Sequence, residues 1–260
     1  MDGVSSDQLL HHLPVVGQQD LKSPAQPPRH DSPKFYWIFK NVDFERWQST
    51  RSSEVLWISG PAECHIPEAS SCIVKQVRET PSGVQHLVLY FFCSTSPMKT
   101  PIAITFVSAI IRQLISSPDL KEKVASVFLY SLLGTTLGKG PLTSQDLSHF
   151  KREDSVEVTV KKILRASSDG YWGALRAVMS IYANQGLSLI IDGLDNAKHE
   201  NHKFIQEVRA FIEILRERPT TTRVLLTSQP QAAIKDILSG LPYIEYDKER
   251  KGLIHWLFAR

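Results

Sequence analysis

The stretch Leu187-Ser188-Leu189-Ile190-Ile191-Asp192-Gly193-Leu194-Asp195-Asn196 decides how this chain is read. A nearly unbroken apolar run suits a strand buried on both faces, as in a parallel sheet covered by helices. The run ends in an Asp-Gly turn, and a second acid follows three residues on. At such a strand end Asp192 is placed to hold the hydration shell of a Mg²⁺ ion, and Asp195 to stand near a γ-phosphate. The same letters also describe an ordinary buried strand closed by a turn, so the neighbours must decide.

Working outward, four more apolar segments are predicted as strands: Val55–Ser59, His86–Cys93, Arg223–Ser228 and Tyr243–Tyr246. Helical periodicity fills the gaps. Helices are expected over Ser70–Glu79, from Thr100 (N-cap) and Pro101 (first turn) to Ser116, and over Leu120–Leu132, Val156–Ala166, Tyr171–Ala183, His202–Glu217 and Ala232–Leu238, with a last one from about Glu249. Strands alternating with helices predict an α/β fold. The expected architecture is a three-layer sandwich of the P-loop NTPase kind, with a mainly parallel five-stranded sheet and helices on both faces. Ligands of such sheets bind beyond the carboxyl ends of the strands. The loops Gly60–Ser71, Asp192–Asn196 and Ser228–Pro230 therefore carry the functional reading.

Three segments are expected. Residues 1–33, with Pro14, Pro24, Pro27, Pro28 and Pro33 among polar residues, read as a disordered arm with at most a short helical turn. Residues 34–50 are an aromatic helical lead-in whose Trp37, Phe44 and Trp47 cover one side of a short hairpin; packing on the main core is the first expectation, a docking surface the second. Residues 51–260 form the nucleotide-type domain. The chain has 260 residues, 22% charged, with a formal net charge of +3. Its densest basic cluster, Lys248 to Lys251, includes Glu249, so no nucleic-acid stripe is expected. No apolar stretch is long enough to span a bilayer. Cys64, Cys72 and Cys93 have no zinc spacing, and with no signal peptide recognised they suggest reduced thiols and a cytoplasmic setting.

The loop after the first strand reads Gly60-Pro-Ala-Glu-Cys-His-Ile-Pro-Glu-Ala-Ser-Ser71. It occupies the place of a phosphate loop yet has one glycine and no lysine. Taken together, "FYWIFKNVDFERWQSTRSSEVLWISG", "HLVLYFFCS", "SLIIDGLDN" and "RVLLTSQP" resemble, in this order, the NACHT-type signal-transduction (STAND) ATPases of filamentous fungi, whose ATPase module is described as nephrocystin-3-like. The resemblance runs from about Phe35 to Leu238. It implies that "SLIIDGLDN" is the Walker B element and "RVLLTSQP" the sensor strand.

The departures from that pattern are informative. The family's loop is G-x-P-G-x-G-K-[ST]; here Gly60 is kept, Ala69 falls at the lysine position, and the loop is longer by about three residues. Glycine N–H groups and a lysine are what cradle phosphate. Pro61 and Pro67 lack N–H groups, and Glu63 and Glu68 repel phosphate by up to ~4 kcal/mol at close range and intermediate dielectric. The family's Glu after the second Asp is Asn196, which cannot act as a base. Its sensor Arg is Gln229, which removes a cation from the γ-phosphate. Asp192, Asp195, Ser70 and Ser71 remain.

These residues predict a catalytically inactive regulatory or scaffolding module with no bound cofactor. Asp195, Asn196 and Gln229 are relics of catalysis, and Gly60, Ser70, Ser71 and Asp192 relics of cofactor binding. Because the family adds winged-helix and repeat regions that this chain is expected to lack, longer NACHT-type relatives are the expected protein partners. In the alternative, a working ATP- or GTP-binding switch, Ser70, Ser71 and Asp192 hold Mg²⁺–nucleotide, with Ser70 and Asp192 on the metal, and Lys75 folds back as the cation. His199 with His202 lacks a third metal ligand, and nothing orients Ser70, Cys64 and His65 as a nucleophile and base.

Overall fold

The structure is a computed structural model and describes residues 6–14, 33–79, 86–93, 100–116, 118–136 and 166–246. In chain order the first elements are α1 (Ser6–His12), α2 (Tyr36–Phe39), α3 (Val42–Ser49), β1 (Glu54–Ser59), α4 (Ile66–Glu79) and β2 (His86–Phe92). They are followed by α5 (Ile102–Ile115), α6 (Lys121–Thr136), α7 (Ser168–Ile181), β3 (Gly186–Asp192), α8 (Asn201–Arg216), β4 (Thr222–Ser228), α9 (Ala232–Ile237) and β5 (Tyr243–Glu245). The chain forms two compact units. Residues 18–97 and 184–260 make a sheet unit; residues 1–17 and 98–183 make a helical unit.

The sheet has the order β2-β3-β4-β1-β5, and every pairing is parallel. β1, β3 and β4 stand side by side, with Ser59 opposite Ser228. One face of the sheet presents Leu56, Ile58, Ile190 and Leu225 to Ala69, Ile73 and Val77 of α4. Those α4 residues recur every third or fourth position, the stripe of a helix lying on a core. The other face meets α8, where the rings of Phe91 and Phe204 lie 6.5 Å apart. Helices on both faces make the sheet unit a three-layer α/β sandwich of the P-loop type.

The aromatic lead-in is core. Phe35, Ile38, Phe44 and Trp47 are fully buried in the cluster beneath α4. Trp47 also donates its indole N–H to the main-chain carbonyl of Val224, at 3.0 Å. α3 opens on Asn41, whose side chain accepts from the Asp43 amide at 2.8 Å, an N-cap. Trp47 and Phe44 are thus buried within the unit, and Trp37 is partly buried against the same cluster.

In the helical unit, Phe106 packs on Trp172 and Phe128 on Tyr171, with centroids 5.2 and 5.8 Å apart. The expected disordered arm is corrected over residues 6–14. Ser6–His12 is helical, and Leu9 and Leu13 are 0% and 1% exposed. The helix is held at both ends. The Glu122 carboxylate accepts from the Ser6 amide (3.1 Å) and hydroxyl (2.7 Å), and the Arg112 guanidinium donates to the carbonyls of Leu10 (2.7 Å) and Leu13 (2.6 Å). An acid at the amino end and a cation at the carboxyl end match the helix dipole. Residues 1–5 and 15–32 of that arm, the expected helix over 156–165 and the expected last helix lie outside the described residues. α5 begins one residue later than expected, with Pro101 rather than Thr100 as N-cap.

At the amino ends of the strands, His86 Nε2 sits 2.8 Å from the Ser188 hydroxyl and 3.1 Å from the Arg223 guanidinium. Arg223 can only donate, so this nitrogen accepts and the ring is neutral. Burial, with the Arg223 charge, pushes His86 down to about 4. The folded value lies below the unfolded one, so the unfolded chain binds more protons between the two. Stability is full above about pH 6.5 and declines toward pH 4. Urea melts at pH 7.5 and 5 should show this loss in the wild type and a smaller loss in His86→Asn. Trp47→Ala should lower stability by ~3–5 kcal/mol, read as a shifted urea midpoint.

Candidate functional site

The carboxyl ends of β1, β3 and β4 meet at Asp192. It is the last residue of β3, 3% exposed, and on the α4 face of the sheet. Its Oδ1 accepts two hydroxyl hydrogen bonds, from Ser70 of α4 and from Thr227 of β4, each at 2.6 Å. The Thr227 oxygen in turn accepts the Gly193 amide at 3.0 Å. Burial raises the Asp192 carboxyl above its usual value; the Ser70 and Thr227 hydroxyls oppose that, while Asp195 and Glu68 add to it.

Gly193 has φ of +72°, and a Cβ there would lie 2.7 Å from the Asn196 amide nitrogen. Only glycine gives this turn without strain. The turn leads into a short 3₁₀ helix, Leu194–Glu200. Asp195 there accepts the Gln229 backbone amide at 2.7 Å, tying the loop after β3 to the loop after β4. Asn196 donates its side-chain amide to the Cys93 carbonyl at 3.3 Å, so it bridges to the end of β2. The Gln229 side chain lies on an exposed residue. Burial, with the Asp192 and Asp195 charges, pushes the Cys93 thiol well above its ordinary value and leaves it protonated.

The loop after β1 differs from its expected form. α4 starts at Ile66, four residues before Ser70, so the loop is Gly60–His65 and contains a 3₁₀ turn, Ala62–Cys64. His65 closes that turn in the left-handed region, with φ of 54°. Pro67 then falls in the first turn of α4, where proline fits because no helical N–H is needed there. Gly60 donates its amide to the Ser228 carbonyl at 3.2 Å. A Cβ on Gly60 would lie 3.0 Å from Tyr246 Cβ, 3.2 Å from Cys64 Sγ and 3.3 Å from Ile66 Cδ1. This glycine lets the loop close on its own side chains.

Glu68 occupies the first turn of α4. Burial alone would raise its carboxyl, but bonds from its own amide and from His65, with the Lys34 charge, hold it below the usual range. The His65–Glu68 contact is 3.1 Å. The amino end of α4 thus faces an anion that the protein itself supplies. Ala69 is buried in the core, and Ser71 donates back to the Pro67 carbonyl at 3.0 Å instead of joining Asp192. Lys75 is exposed beside Glu79, at 3.9 Å.

Of the residues singled out in the sequence, the structure therefore joins Ser70 directly to Asp192 and fastens Asp195, Asn196 and Gly60 to neighbouring strand ends. Ser71 is left apart. Thr227 and Trp57 were not singled out. Thr227 is, with Ser228, one of two buried polar residues that end the apolar run of "RVLLTS", which was the available signal. Trp57 donates to the Ser228 hydroxyl at 3.0 Å and stacks on Tyr243 at 4.3 Å, and its apolar strand setting hid that role. Among the described residues no group of three or more His, Cys, Asp or Glu is placed to hold a metal ion. No described helix is long and apolar enough to cross a membrane.

An all-parallel α/β sheet with a carboxylate at the end of the strand beside β4 defines a P-loop-like sandwich. Residues 34–135 match the family model described as Nephrocystin 3, N-terminal, so this stretch is similar to that family. The match starts at Lys34, where the aromatic lead-in begins, and ends before β3, so Asp192, Asp195, Asn196 and Gln229 lie beyond it. No curated protein matches the chain.

Asp192→Asn keeps Oδ1 as acceptor for both hydroxyls and removes a buried charge. Because folding raises the Asp192 value, its ionised form weakens the fold above that value and its neutral form does not below it. The variant should therefore be more stable than wild type at pH 7.5 by on the order of 1 kcal/mol, and the gain should shrink as pH falls toward 4. Paired urea melts at the two pH values measure this.

Proposed function

We propose that the strand-end site is a nucleotide-binding site that has lost its phosphate chemistry, and that the chain acts as a catalytically inactive regulatory or scaffolding module of the signal-transduction NTPase type. The observation that carries this reading is the first turn of α4. Phosphate binding there requires converging N–H groups and a cation. This chain offers the imide nitrogen of Pro67, the carboxylate of Glu68 and the buried methyl of Ala69. The floor of the loop is filled by Cys64, Ile66 and Tyr246 around Gly60.

The residues present do not fit the phosphates of ATP, and no catalytic step is derived through one. Asn196 accepts no proton from water, and its amide is committed to Cys93. No arginine stands at Gln229. A protein partner, including a longer NACHT-type relative, suits a module that keeps the fold and lacks the chemistry.

One observation favours the second reading, a nucleotide-binding switch. Ser70 and Asp192 stay paired at 2.6 Å, an arrangement from which both oxygens could turn to a Mg²⁺ ion carried by ATP or GTP. Ser71 is turned back on its own helix and Lys75 sits beside Glu79, so neither of the other two groups that reading needs is in place.

Calorimetric titration of the protein with ATP and Mg²⁺ should be flat, and hydrolysis should not exceed background. A dissociation constant in the low micromolar range, abolished by Asp192→Ala, would overturn the inactive reading in favour of the switch.

A further inference from the structure

We draw no further inference here: the strongest candidate, the groove between α8 and α9 lined by His202, Gln206, Arg209, Glu213, Asp236 and Ile237, mixes acidic and basic side chains, and nothing in the structure shows what covers it.

Discussion

Everything at the carboxyl end of the sheet hangs on one oxygen. Oδ1 of Asp192 receives a hydroxyl from α4 and another from β4 while belonging to β3 itself. Three elements separated in sequence by up to 157 residues, from Ser70 to Thr227, are pinned at a single buried point. The low surrounding dielectric makes losing either bond costly, because a buried polar group is left unpaired. Beside Asp192, Gly193 turns the chain and Asp195 ties the loop after β3 to the loop after β4.

The surroundings of that oxygen set the character of the site. Glu68 and Asp195 both act on Asp192 through space with the same sign as its own charge. A site built to receive phosphate needs positive potential at this spot; here the first turn of α4 is answered internally by a carboxylate with a histidine beside it. The carboxylates of Glu68 and Asp195 make the surroundings of Asp192 negative.

Much of the sheet unit was legible in the sequence. Strands covered on both faces must be continuous apolar runs, and five such runs alternating with helices leave few topologies. Asp192 was legible for the same reason: a carboxylate ending an apolar strand is conspicuous. The start of α4 was not. Pro67 reads as a breaker unless its place in the first turn is known, and His65 takes a positive φ that a reader expects of glycine. α1 was illegible because two leucines in a proline-bearing polar segment carry too little apolar surface to announce a core, and the clamps Arg112 and Glu122 lie far along the chain. The division into two units left no mark, since residues 98–183 are as apolar as the rest.

The interleaving of the two units governs how the chain must assemble. β2 pairs with β3 across about a hundred residues, from His86 to Gly186, so the central sheet closes only after the intervening segment has been made. Closing a loop of that size is entropically slow when the loop is open coil, and faster when helices α5, α6 and α7 have already condensed within it. During synthesis the amino-terminal leucines emerge long before Arg112 and Glu122 exist to receive them. A nascent chain therefore carries Leu9 and Leu13 without their clamps until residue 122 of 260 has been made, still before β3 and β4 can close the sheet.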